Sequence, residues 1–111
     1  MAEVNPNFVH EALAGSISED ELQANVIQLC KLLGLRYYHT HDSRRSPEGF
    51  PDMVIVRGDE LVFRELKDQR RKPTPAQLQW LHDLSQVRRV SAGLWRPFDW
   101  LTGDIERELR G

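Results

Sequence analysis

Two β-rich runs, Met53 to Val56 and Leu61 to Leu66, stand on either side of Arg57-Gly58-Asp59-Glu60, and this pairing constrains the fold more than any other feature of the chain. Branched and aromatic residues favour extended backbone, and a short polar segment containing glycine between them favours a tight reversal. The segment therefore predicts a β-hairpin.

Helical spacing frames the hairpin. Leu22, Val26, Leu29, Cys30 and Leu33 recur with the period of a helix, and Ser18 and Gly34 supply an N-cap and a C-cap. Leu35 to Thr40 reads as a strand, and the loop HDSRRSPEG after it is too rich in Ser, Pro and Gly for regular structure. Thr74-Pro75 opens a second helix running to about Gln86. Val90 to Trp95 reads as a last strand and Phe98 to Leu109 as a closing helix. The expected fold class is α/β, with a mixed β-sheet flanked by helices in the order α-β-β-β-α-β-α. Residues 1–17 read as an N-terminal leader with one or two helical turns, and residues 18–111 as one domain.

At 111 residues the chain suffices for one core of ordinary size. No apolar run approaches the roughly 20 residues that cross a bilayer, and the N-terminus lacks the pattern of a secretory signal. The expected location is the cytoplasm, of a bacterium or a phage-infected host cell, with no membrane partner. Cys30 is the single cysteine, which excludes an internal disulfide and a cysteine-built zinc site. Any metal must then be held by oxygen or histidine. The net charge of −2 is unevenly spread: from Arg36 to Arg96 there are twelve Lys or Arg and eight Asp or Glu, and both ends are acidic. The mean charge is weak grounds against a phosphate-bearing substrate.

The candidate chemistry lies at the ends of the hairpin. Asp52 opens one strand and Glu65 nearly closes the other, so the turn brings both carboxylates to one end of the sheet. Because strand side chains alternate, Glu65 and Lys67 share a face while Leu66 turns to the opposite one. Two neighbouring carboxylates repel, and a hard divalent cation such as Mg²⁺ or Mn²⁺ relieves that repulsion. Phosphodiester hydrolysis uses such a cation, with a lysine to hold water or stabilise phosphate charge. An isolated Glu-x-Lys is common on exposed strands, so the weight rests on what accompanies it.

Glu19 and Gln23, YYHTHDSRRS at 37–46, GFPD at 49–52, FRELK at 63–67, TPAQLQWL at 74–81 and LWRP at 94–97 accompany it. Together they resemble the VRR-NUC (virus-type replication-repair nuclease) family of the PD-(D/E)XK nuclease superfamily, from about Ser18 to Pro97. The resemblance implies a restriction-endonuclease-like core in which Asp52 and Glu65 bind Mg²⁺ or Mn²⁺, Leu66 adds a backbone carbonyl ligand, and Lys67 assists catalysis. It also implies a metal-site and catalytic glutamate on the first helix, where Glu19, Asp20 and Glu21 compete. At about 100° per residue, Glu19 falls in the stripe of Leu22, Val26 and Cys30 and faces the sheet, while Glu21 falls opposite. An acidic first turn favoured by the helix dipole accounts for the same three acids.

Gln77 matches the glutamine that the family carries after the lysine strand, and it also completes a T-x-x-Q capping box with Thr74. Both readings stand, as catalytic residue and as helix cap. Ser43, Arg44, Arg45 and Ser46 offer cations and hydroxyls suited to DNA phosphates, and Arg70, Arg71 and Lys72 extend that basic surface. Solvated basic loops are the alternative for both. His39 matches the family, although a satisfied structural histidine explains it as well, and Trp80, Trp95 and Trp100 read as core.

For a domain of this size the resemblance implies structure-selective cleavage of DNA, with a branched substrate such as a four-way Holliday junction. Two symmetry-related nicks there call for a homodimer. A general nicking or flap endonuclease, and a non-catalytic DNA-binding module with the nuclease fold, are the competing readings.

Overall fold

The structure, a computed structural model, describes residues 5, 7–41 and 44–111. Its elements run α1 (Phe8–Ala14), α2 (Glu19–Leu33), β1 (Arg36–His39), β2 (Met53–Arg57), β3 (Glu60–Leu66), α3 (Pro75–Ser85), β4 (Val90–Trp95), α4 (Pro97–Leu101) and α5 (Asp104–Arg110). The hairpin forms as expected, with Arg57 opposite Glu60 across the turn and Gly58 at φ +58°, a left-handed backbone that glycine adopts without strain.

The sheet has the order β1-β2-β3-β4. Its first two pairings are antiparallel and β3 to β4 is parallel, which makes it mixed. A parallel pair requires a crossover, and α3 supplies it.

One sheet face carries the main core. Leu22, Val26, Leu29 and Cys30 of α2 pack on Met53, Ile55, Val62, Leu66 and Trp95, with Ile105 and Leu109 of α5 closing the cluster. Burial of each large side chain there contributes about 1.5–3 kcal/mol. The expected caps hold α2 in register: the Ser18 hydroxyl accepts the Glu21 N–H at 3.1 Å, and Gly34 ends the helix at φ +71°. Within this face Arg64 is buried, donating to the Ser91 carbonyl and hydroxyl at 3.0 and 2.8 Å and stacking over Trp95. Glu108 of α5 accepts from Trp95 Nε1 at 2.7 Å, which ties α5 to the sheet edge.

The other face is covered by α3, which packs on β3 and β4. There Phe50 meets Phe63 and Trp80 edge-on, at centroid distances of 6.0 and 5.1 Å. The three tryptophans therefore divide: Trp95 and Trp100 join the main core, and Trp80 belongs to this smaller aromatic cluster.

One expectation needs correction. The closing helix predicted from Phe98 to Leu109 is two helices, because Gly103 at φ +82° breaks it between α4 and α5. Thr102-Gly103-Asp104 carried the signal, a flexible glycine followed by an acid at a helix start. The break also decides where the apolar residues go: Ile105 and Leu109 are buried in their own chain's core. In the N-terminal segment α1 packs against α4, with Ala14 buried.

Candidate active site

The hairpin register sets the site. Met53 pairs with Arg64, so Asp52, one residue earlier, comes level with Glu65 on the same face. Asp52 is fixed from two sides: its carbonyl accepts the Thr40 N–H at 2.9 Å, and its Oδ2 accepts the Leu66 N–H at 2.8 Å. Leu66 itself points into the core and is fully buried. The alternation expected of residues 65–67 is therefore present.

The approach to Asp52 depends on close backbone packing. Gly49 sits at φ +89°, and a Cβ there would lie 2.5 Å from the Ala76 carbonyl carbon at the start of α3. Trp80 Nε1 donates to the Glu48 carbonyl at 3.0 Å and clamps the same loop. GFPD is thus pinned onto α3, and an open cleft of about 540 Å³ lined by Glu48, Gly49 and Thr74 to Gln77 lies alongside.

Glu65 is 2% exposed. Its Oε1 accepts from Gln77 Nε2 at 2.9 Å and lies 3.6 Å from Lys67 Nζ. Its Oε2 is buried with no donor in reach. Burial first, and then the charge of Asp52, push the Glu65 carboxyl up to about 8. When both are ionised they offer each other only acceptors, which is an unstable arrangement without a cation.

Glu19 belongs to the same electrostatic cluster. It is half-buried while Asp20 and Glu21 are exposed, and Glu21 serves the Ser18 cap instead. Burial raises the Glu19 carboxyl, Lys67 draws it down, and Asp52 raises it further. The helical phase that selected Glu19 is the observed one.

Gln77 holds both of its readings at once. Its Oε1 accepts the Thr74 N–H at 2.9 Å, completing the capping box, while its Nε2 reaches Glu65. The capping box therefore fixes the amide that orients Glu65. His39 lies 3.5 Å from Gln23 Nε2 and sits tilted against His41, at a centroid distance of 4.1 Å.

Of the basic residues, Arg44, Arg45 and Ser46 are exposed, and Ser43 lies outside the described residues. Arg70, Arg71 and Lys72 are exposed on the loop that follows Lys67. That loop is ordered by Asp68, whose Oδ1 accepts the Arg70 and Arg71 N–H groups at 2.8 Å each. The sequence reading passed over Asp68, although an aspartate two residues before such a turn is a usual way to build one.

Among the described residues no three His, Cys, Asp or Glu side chains form a ready-made metal cage. Asp52 and Glu65 nevertheless fit a hard cation, since both offer oxygen donors and Glu65 Oε2 is buried without a partner. Remaining ligands would come from backbone carbonyls, substrate or solvent.

No family model matches the sequence, and no curated protein matches it either. Two solved structures share the fold. One, a "VRR_NUC domain protein", superposes with a TM-score of 0.65 at 23% identity, covering 85% of this chain and 89% of its own. The other, a "VRR_NUC domain", gives a TM-score of 0.63 at 26% identity, covering 81% of this chain and 96% of its own. A four-stranded mixed sheet flanked by helices, matched over most of its length by both, gives this chain the fold of these VRR_NUC domain structures.

Proposed function

We propose that the protein is a Mg²⁺- or Mn²⁺-dependent, structure-selective DNA endonuclease that resolves branched substrates such as four-way junctions. The observation that carries this reading is the Asp52–Glu65 pair, with a buried, unpartnered Glu65 oxygen and Lys67 Nζ 3.6 Å from the same carboxylate. Asp52 and Glu65 would hold the cation, with the Leu66 carbonyl as a further ligand. When bound, the cation supplies Lewis-acid polarisation of the scissile phosphate and a lowered pKa for the attacking water.

The remaining steps belong to the chain. Gln77 holds Glu65 in one rotamer through a hydrogen bond that is itself locked by the helix cap. Lys67, only 12% exposed at its side chain, keeps a cation next to the reacting centre, where it stabilises the negative charge that builds on the phosphoryl oxygens. Glu19 adds a carboxylate from α2 to the same cluster. Arg44, Arg45 and Ser46 on one side and Arg70, Arg71 and Lys72 on the other supply phosphate contacts that position DNA without reading its sequence.

Two nicks at symmetry-related positions would be made by a homodimer. One surface that could serve it is α1, where Phe8, Val9 and Leu13 are each at least 50% exposed. Incubation of the pure protein with labelled duplex, single-stranded, flap and junction DNA tests the reading, with light scattering at micromolar concentration alongside. Junction cleavage by a dimer is the expected result. A monomer that cuts linear duplex as fast as junctions would leave a general endonuclease, and DNA binding without cleavage in any metal would leave a binding module.

A further inference from the structure

The loop that follows the Lys67 strand is held by groups outside the Asp52–Glu65 cluster. Arg96, at the β4–α4 corner, extends its guanidinium under the loop, where Nη1 donates to the Asp68 carbonyl at 2.6 Å and to the Arg71 carbonyl at 2.8 Å. Arg96 is itself fixed, since its N–H donates to Asp99 Oδ2 at 2.8 Å. A second tie runs the other way: the Phe98 N–H donates to Gln69 Oε1 at 3.0 Å. The loop is thus fastened from outside by Arg96 and α4 and from inside by the Asp68 turn. At its root the Lys67 N–H donates to the Trp95 carbonyl at 3.1 Å, so the chain that leaves the site and the residue before the clamp are joined.

A solvated loop needs no such fastening. A stretch carrying Arg70, Arg71 and Lys72 gains from it in one respect, because cations held on a fixed backbone lose less conformational freedom on meeting a phosphate track. The loop starts at Lys67, whose Nζ lies 3.6 Å from Glu65, which places this track at the edge of the catalytic cluster. We infer that Arg96, assisted by Gln69, is a positioning residue that preorganises residues 68–72 as a phosphate-binding track leading into the site. The inference rests on the nuclease reading above and deepens it. Arg96 acts through Arg70 and Arg71 and touches no reacting atom. Both contacts come from Nη1, whose two N–H groups are fixed in the guanidinium plane; a lysine in its place keeps the charge but loses that fixed planar geometry.

The test is DNA binding in Ca²⁺ over a series of salt concentrations, for Arg96→Lys, Gln69→Ala, the Arg70→Ala/Arg71→Ala double variant and the combination of Arg96→Lys with that double variant. The expected result for Arg96→Lys is a roughly tenfold weaker affinity and a salt slope shallower by about one, with KM rising more than kcat falls. Gln69→Ala should shift both in the same direction by less. Added to the double variant, Arg96→Lys should cost nothing further, because the groups it positions are already gone. Variants that are folded by circular dichroism but keep the salt slope and KM of the unsubstituted protein would overturn the inference. So would an Arg96→Lys penalty that persists undiminished in the double-variant background, which would mark a general structural role. No DNA binding by the unsubstituted protein would overturn the function and this inference together, and is distinguishable from failure of the clamp alone.

Discussion

Replacing Glu65 with glutamine should remove a pH dependence from the stability of the metal-free protein. The unfolded carboxyl releases its proton near 4.5, whereas in the fold burial and Asp52 hold that proton up to about 8. A group whose folded pKa is raised contributes stability that is complete below the unfolded value and is lost as pH rises through the folded one. Each unit of pH inside that window costs about 1.4 kcal/mol, which limits the total loss to about 5 kcal/mol. Lys67 Nζ, 3.6 Å away, already holds the folded value below where burial and Asp52 alone would put it. A drop of about 4 kcal/mol between pH 5 and pH 8.5 is the expected size. Urea denaturation in EDTA at half-unit steps of pH measures it directly. Glu65→Gln, neutral at every pH, should be flatter by that amount, and Mg²⁺ or Mn²⁺ should restore stability at high pH to the unsubstituted protein only. A flat profile for the unsubstituted protein, or an equal slope in Glu65→Gln, would refute the reasoning.

Three further outcomes follow from the same geometry. Lys67→Ala should abolish cleavage while DNA binding in Ca²⁺ survives, since on the proposed reading exposed Arg44, Arg45, Arg70 and Arg71 would supply most phosphate contacts; a wild-type kcat by single-turnover assay would remove Lys67 from the mechanism. Glu19→Gln should lose activity and Glu21→Gln should keep it, because only Glu19 lies within the charge cluster; the reverse ranking in a cleavage assay would contradict its placement. Gly49→Ala should destabilise by about 2–4 kcal/mol in chemical denaturation, combining positive-φ strain with overlap against the α3 backbone, and an effect near zero would show that the loop does not need that close approach.

Much of this was legible in the sequence because local chemistry and long-range packing agree. Ser18 and Gly34 bound α2 where capping says they should, and Asp52 and Glu65 meet because a hairpin of fixed register leaves them no other place. The helical phase of Glu19 follows from the core positions of Leu22, Val26 and Cys30. Where reading failed, the deciding contact was tertiary or lay in a single backbone angle. Gly103 splits the last helix although the apolar spacing of Trp100, Leu101, Ile105 and Leu109 runs through it unbroken. Gln77 could be read as a cap or as a site residue, and only the fold reveals that one amide serves both contacts. Arg96 looks like one more surface cation until the loop carbonyls above it are placed.

The central claim, that Asp52 and Glu65 form a cation-dependent phosphodiesterase centre, is tested most directly by one assay. A labelled four-way junction is incubated with pure protein in Mg²⁺, in Mn²⁺, in Ca²⁺ and in excess EDTA, with Asp52→Asn and Glu65→Gln in parallel. Cleavage in Mg²⁺ or Mn²⁺ alone, absent from both variants, is the predicted result, with Ca²⁺ supporting binding but not turnover because its looser coordination positions water poorly. Undiminished cleavage in EDTA, or wild-type rates from either variant, would contradict the account.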